Sequence, residues 1–404
     1  MPQSLKGSAH SLVAPSPFRR LAAMLEGLEP GRPPVDLSMG EPGHPMPDVI
    51  GPILAESIGE FGKYPPIWGT DELRGSIAAW TERRYPSLQG QIDAGRHILP
   101  LCGSREGLFS AIFPALARRT ELTDAAVLIP NPYYFSYAAA AAGAQAEAIY
   151  LEARPELGFL PDLTAIESGL LDRTVAMYLA SPSNPEGAVA DASYLEIAIG
   201  LARKHDFLLF ADECYSEIWT QSPPAGALET AHRRFGDFRN VIVFQSLSKR
   251  SNVPGLRSGF CAGDPDFIAS YGSFRNVACP QMPLPLQHVS AALWQDEAHV
   301  EASRDLYRAK FDAAGRILGD RFGFKRPQGG FFLWLNMSQK GGGEAATATL
   351  WKAYGVKVLP GAYLGHRYED GANPGEDYVR LALVGDLPAT EEALKRIVEW
   401  AESE

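Results

Sequence analysis

Ser246-Leu247-Ser248-Lys249, followed closely by Gly255-Leu256-Arg257-Ser258-Gly259, brings an amine, two hydroxyls and a guanidinium into one short span. A lysine screened from water and set near other cations loses its proton easily and can condense with an aldehyde. The hydroxyls and the arginine suit a phosphate. A lone lysine in a polar loop is usually a surface residue; the flanking pattern sets Lys249 apart. In Phe210-Ala211-Asp212-Glu213-Cys214-Tyr215 an apolar run ends in a carboxylate, which is costly to bury without a partner. A protonated ring nitrogen would be such a partner, whereas capping the next helix is the commoner fate of an Asp in that place. Ala180-Ser181-Pro182-Ser183-Asn184-Pro185-Glu186-Gly187 reads as a tight turn after a strand. Gly103-Ser104-Arg105-Glu106-Gly107 reads as a helix start whose free N–H groups can hold an anion. Asn131-Pro132-Tyr133-Tyr134 offers two rings for stacking or for core packing.

These residues need a scaffold that delivers them to one place. Short apolar runs without polar alternation occur at Ala125–Ile129, Ala146–Leu151, Thr174–Ala180, Phe207–Ala211, Val241–Phe244 and Ser258–Ala262. Strands look like this when both faces are covered. Helical stretches such as Ala190–His205 lie between them, so the chain reads as α/β with a mainly parallel sheet. In such sheets ligands sit beyond the carboxyl ends of the strands. That rule selects Gly103–Arg105, Asn131–Tyr134, Ser181–Asn184, Asp212–Tyr215 and Ser246–Lys249. The C-terminal part predicts a long helix over His299–Arg321, strands at Phe331–Leu335, Val356–Leu359 and Tyr378–Leu383, and a closing helix over Glu391–Glu402. Gly341–Gly343 reads as a flexible loop. The expected division is an N-terminal segment 1–47 packing with a small domain, a large domain 48–290, and a small α+β domain 291–404.

The bulk properties agree with a soluble globular protein. The 404 residues are 46% hydrophobic and 21% charged, as in ordinary globular proteins, and the length suggests two domains. The net charge of −11 repels nucleic acid, so no nucleic-acid partner is expected. Cys102, Cys214, Cys261 and Cys279 are scattered without a CxxC pair, which argues against a disulfide framework or a metal site. Met1 to Arg20 lacks a signal-peptide core, and no apolar run is long enough to cross a bilayer. A cytoplasmic location is the expectation.

The stretch around Lys249 resembles the active-site lysine motif of the class I aminotransferases, which include the aspartate aminotransferases. The resemblance implies pyridoxal 5'-phosphate as cofactor and a three-layer large domain with a mainly parallel seven-stranded sheet (fold type I) beside a smaller α+β domain. It implies Lys249 as the Schiff-base residue and proton carrier, and Asp212 on the pyridine nitrogen. Tyr215 and Asn184 would reach the ring oxygen, with Tyr134 rather than Tyr133 stacked on the ring. Ser104, Arg105, Ser246 and Arg257 would bind the phosphate. Leu37-Ser38-Met39-Gly40-Glu41-Pro42-Gly43 resembles the substrate loop, with the Gly40 backbone near the substrate carboxylate. Tyr378-Val379-Arg380-Leu381 resembles the strand whose arginine clamps the α-carboxylate. Lys63-Tyr64-Pro65-Pro66-Ile67-Trp68-Gly69 resembles the segment whose tyrosine reaches the neighbouring subunit's phosphate, which implies a homodimer with shared sites. Two departures stand out: Ser258 where the family often has an apolar residue, and Glu186 where it has a small one.

Several stretches resemble the proteobacterial N-succinyldiaminopimelate aminotransferases of lysine biosynthesis: Ser38–Pro47, Asp212–Ile218, Ser246–Gly259 and Trp294–Val300. That implies glutamate and 2-oxoglutarate as one substrate pair, and a second cationic contact for the far carboxylate, for which Arg275 and Arg250 are candidates. The alternatives are a broader aspartate- or aromatic-type aminotransferase, a C–S lyase on the same scaffold, and the sensor domain of a transcriptional regulator. Against the last, only about 35 residues precede the first motif and no basic helix-turn-helix stands out.

Overall fold

The computed structural model describes residues 15–403; the first part of the expected N-terminal segment, residues 1–14, lies outside the described residues. Among the described residues, thirteen strands form three sheets. They are β1 (Val35–Asp36), β2 (Ile98–Leu101), β3 (Ala126–Asn131), β4 (Glu147–Arg154), β5 (Leu160–Pro161), β6 (Thr174–Ala180), β7 (Leu208–Asp212), β8 (Val241–Ser246), β9 (Gly259–Gly263), β10 (Phe332–Asn336), β11 (Val356–Lys357), β12 (Leu359–Pro360) and β13 (Tyr378–Ala382).

The large sheet runs β2-β9-β8-β7-β6-β3-β4-β5. The pairs β3–β4, β3–β6, β6–β7 and β7–β8 are parallel, while β9 is antiparallel to both its neighbours. The mainly parallel seven-stranded sheet of the sequence reading is therefore present, with the two-residue β5 added at one edge. Alternate residues enter different cores. Leu209, Ala211 and Val243 join one apolar cluster, and Leu208, Phe210 and Phe244 join the other. With helices on both faces, neither side of these strands meets water, and the runs show no polar alternation.

From β3 the chain moves outward to β4, then returns to place β6, β7 and β8 on the other side. A crevice opens at such a reversal, beyond the carboxyl ends of the strands. Because β9 runs antiparallel, its beginning lies at that same edge. Register places Leu101 opposite Gly259, which brings Arg257 beside Gly103. Two glycines make that approach possible. A Cβ on Gly103, whose φ is 86°, would lie 2.3 Å from the Arg257 Nη2 atom, and one on Gly259 would lie 2.5 Å from the Gln245 carbonyl.

The small sheet, β10-β13-β12, is antiparallel. Leu333, Leu335, Val379 and Leu381 pack there with Phe311 and Leu318 of helix Ala298–Leu318 and with Leu394 and Ile397 of helix Leu387–Glu402. The last helix starts before the expected Glu391 because the Asp386 carboxylate accepts the Ala389 N–H at 2.7 Å and caps it. Gly341–Gly343 is not the expected loop: Gly342 opens helix Gly342–Tyr354. The glycines serve close approach there, since a Cβ on Gly343 would lie 2.1 Å from the Tyr378 carbonyl oxygen. Near the N-terminus, helix Pro17–Met24 sets Leu21 and Leu25 against Leu359 and Leu364, and β1 pairs in parallel with β11.

Candidate active site

A cavity of about 450 Å³ opens at the crevice. It is lined by Gly40, Ser104, Arg105, Tyr134, Asn184, Asp212, Tyr215, Ser246, Lys249, Arg257 and Arg380, so every expected site residue except Tyr64 meets there. Tyr133 does not line the cavity; its ring packs on Tyr150, with centroids 5.2 Å apart. The Tyr64 side chain is fully exposed, at 101%.

Lys249 follows β8 in a short helical turn, Leu247–Arg250, whose start is held by the Ser246 hydroxyl accepting the Ser248 N–H at 3.1 Å. Its Nζ donates to the Gly40 carbonyl at 2.7 Å. Burial, with Arg380 and Arg105 nearby, lowers its pKa to about 8, against a smaller opposing pull from Cys214 and Glu41. About a tenth of the amine is thus neutral at pH 7, roughly a few hundredfold more than for a lysine at its ordinary value.

Asp212 ends β7 and is buried. Its Oδ2 accepts the Tyr137 hydroxyl at 2.7 Å and its Oδ1 accepts the Cys214 N–H at 3.2 Å. Burial raises its pKa, and these hydrogen bonds together with the charge of Lys249 oppose the rise. Tyr137 was not singled out in the sequence. Its signal is the spacing to Tyr134, which starts helix Phe135–Gly143 and puts both rings on one side of it. Tyr137→Phe should leave one oxygen of Asp212 unpartnered and raise its pKa further. Steady-state kinetics should then record a roughly tenfold loss in kcat/KM, about 1.4 kcal/mol.

At one end of the cavity Ser104, Ser246 and Arg257 gather, with the exposed Arg257 donating to the Pro254 carbonyl at 3.0 Å. Nearby, the Arg105 Nε donates to the Tyr134 hydroxyl at 2.6 Å. At the other end Arg380 of β13 is 3% exposed. Its Nη1 donates to Asn184 Oδ1 at 2.8 Å and its Nη2 to the Ser38 carbonyl at 2.7 Å, while Nε has no partner. Burial lowers its pKa to about 10, which still leaves it charged at neutral pH. Its guanidinium lies 4.4 Å from the Phe332 ring centroid. The Tyr215 ring, wedged against Phe331 and Phe332, has its phenol pKa pushed well up by burial.

Arg250 and Arg275, the candidates for a far carboxylate, do not line this cavity. Arg250 donates to the Leu293 carbonyl at 2.6 Å and to Glu297 at 2.7 Å, with Trp80 and Trp294 beside it. Arg275 pairs with Glu106 and donates to the Pro280 carbonyl at 3.1 Å. Both are committed to local structure.

The donor set matches pyridoxal phosphate: an amine of lowered pKa, a buried carboxylate opposite it, hydroxyls and a guanidinium for a phosphate, and an orphaned buried guanidinium N–H for a carboxylate. Comparison with known proteins agrees. Residues 32–397 match the model of aminotransferase class I and II. The chain is 34% identical to the 4-dedimethylamino-4-oxo-anhydrotetracycline transaminase OxyQ of Streptomyces rimosus, over 90% of this chain and 91% of that one. It is 29% identical to the LL-diaminopimelate aminotransferase of Syntrophobacter fumaroxidans, over 90% of each. An aminotransferase structure from Neisseria meningitidis superposes with a TM-score of 0.90 at 38% identity, covering 96% of this chain and 98% of that one. A probable N-succinyldiaminopimelate aminotransferase from Thermus thermophilus gives a TM-score of 0.82 at 26% identity, covering 95% and 100%. The chain belongs to the class I and II aminotransferases, enzymes that transfer amino groups with pyridoxal phosphate.

Proposed function

We propose that this aminotransferase is the N-succinyl-LL-diaminopimelate:2-oxoglutarate aminotransferase of lysine biosynthesis, working as a cytoplasmic homodimer. The observation that carries the catalytic part is that the Lys249 amine, buried Asp212 and buried Arg380 line one cavity. The substrate rests on Ser38–Pro47, Asp212–Ile218, Ser246–Gly259 and Trp294–Val300, which resemble that subgroup. The Thermus neighbour bears the same activity in its name.

When bound, the cofactor supplies an electron sink that makes the substrate Cα–H acidic. The chain's own residues do the rest. Lys249 would hold the cofactor covalently, and its amine, when free, is the base at Cα and the acid that returns the proton. Asp212 keeps the ring nitrogen protonated, aided by Tyr137. Tyr134 stacks on the ring, and Tyr215 and Asn184 serve its oxygen. Ser104, Arg105, Ser246 and Arg257 hold the phosphate, and Arg380 with the Gly40 backbone fixes the α-carboxylate. Tyr64, exposed beside the exposed apolar side chains of Ile58 and Phe61, completes the phosphate site of a second subunit.

A second reading, a broader aspartate- or aromatic-type specificity, is favoured by Arg250 and Arg275 being tied up outside the cavity. A panel of oxo acids with glutamate as donor separates the two. We expect N-succinyl-2-amino-6-ketopimelate to exceed oxaloacetate and phenylpyruvate in kcat/KM by roughly a hundredfold, the scale that one well-placed polar contact provides. Fast oxaloacetate turnover beside poor use of the succinylated acid would remove the lysine-pathway assignment and leave the aminotransferase chemistry intact.

A further inference from the structure

Glu186 has no part in the roles assigned so far. It follows Asn184-Pro185 in the turn after β6 and is 9% exposed. Its Oε2 accepts the Ser183 hydroxyl at 2.8 Å, and Ser183 Oγ in turn accepts the Ala188 N–H at 3.0 Å. Its Oε1 has no partner. The carboxyl borders a void of about 10 Å³, the space of a single water, that lies behind the wall of the main cavity.

No other charged side chain borders that void. The segment from β3 into the following helix contributes Tyr133, Tyr134 and Tyr137, whose pKa values burial raises, so they are neutral at neutral pH. The β4–β5 hairpin contributes only apolar groups, and the turn itself adds Ser183 and Asn184. An ionised carboxylate there would be buried with no cation to pair with. Burial accordingly pushes Glu186 up to about 7. It is a neutral acid below that pH and gains charge above it. Asn184, two residues away, accepts the hydrogen bond from Arg380.

We propose that Glu186 is a positioning residue: its neutral carboxyl, acting through Ser183 and the turn, holds Asn184 where it orients Arg380, and its ionisation loosens that hold. The proposal rests on Arg380 being the α-carboxylate clamp.

KM for the amino donor in the wild type should climb by about fivefold as pH rises from roughly 6 to 8.5, the effect of about one hydrogen bond. Glu186→Gln keeps the shape and the acceptor for Ser183 but cannot ionise, so its KM should stay at the low-pH value throughout, with kcat following the wild-type profile. Glu186→Ala removes the acceptor and should raise KM at every pH, with cofactor absorbance and Tm reporting that the protein is folded. A wild-type KM climb persisting in Glu186→Gln, or a wild-type KM at every pH in Glu186→Ala, would overturn the role. Arg380→Lys separates the two claims. An unchanged KM there removes the clamp itself; a raised KM with a wild-type-like Glu186→Gln profile removes only Glu186.

Discussion

Lys249→Ala should lose the absorption band of the lysine-bound cofactor and should transaminate at least about 10⁴-fold more slowly than the wild type. Two losses combine. The covalent anchor disappears, and with it the base and acid at the substrate Cα, a function that alone provides on the order of 10²–10⁴-fold. No neighbouring group can take over. Tyr215 and Cys214 have pKa values raised by burial, and Asp212 is held in hydrogen bonds to Tyr137 and Cys214. The lowered pKa of Lys249, about 8, adds a second readout. Only the neutral amine adds to an aldehyde, so cofactor capture by the cofactor-free wild type should speed up as pH rises and level off just above pH 8. A lysine at its ordinary value would still be gaining at pH 10. Stopped-flow absorbance measures this directly. A Lys249→Ala protein with full turnover would end the mechanism.

The sequence revealed more of the catalytic edge than of its surroundings, for a physical reason. Strands buried on both faces must be apolar throughout, so β3, β6, β7, β8 and β9 appeared as runs whose ends could be inspected; β4, nearer the sheet edge and half-buried, showed as a run through Ala148, Ile149, Tyr150 and Leu151. β2 was not among the apolar runs, being four residues long and containing Pro100, which edge strands tolerate; it showed only through the Gly103–Arg105 turn that follows it. Arg380 sits on a strand where an alternating arginine ordinarily faces solvent. Only the family resemblance singled it out, and the folded chain buries it because the Ser38 loop and Asn184 close over β13.

Long-range partners were the illegible part. Arg275 and Arg250 are as good as any arginine for a far carboxylate until Glu106 and Glu297 are seen beside them. Nothing local announces a partner 169 residues away. Glu186 was visible as a departure from the family's small residue, but its burial depends on the β4–β5 hairpin packing across the turn. Phe18 likewise reaches the cavity only because its helix docks on Leu359 and Leu364 of the C-terminal part.

Arg380→Leu should cost about 10²–10³-fold in kcat/KM for every α-amino acid and α-oxo acid the enzyme uses. A guanidinium has five N–H donors. Two of those on Arg380 serve Asn184 and Ser38, and the remaining Nη hydrogens belong to a guanidinium that lines the cavity and can pair with a carboxylate there. Breaking a buried charged pair costs on the order of 2–5 kcal/mol, which sets that range. Most of the loss should fall on KM, because the carboxylate is held equally in the ground and transition states; a smaller kcat effect follows from the less well-oriented Cα–H bond. Arg380→Lys should recover only part of it, since an ammonium cannot hold Asn184, Ser38 and a two-point carboxylate together. The decisive control is an amine without a carboxylate. Its slow turnover should be the same in wild type and Arg380→Leu, because the contact removed has no counterpart in that substrate. If that amine suffers as much as glutamate does, Arg380 supports the fold of the site rather than the carboxylate.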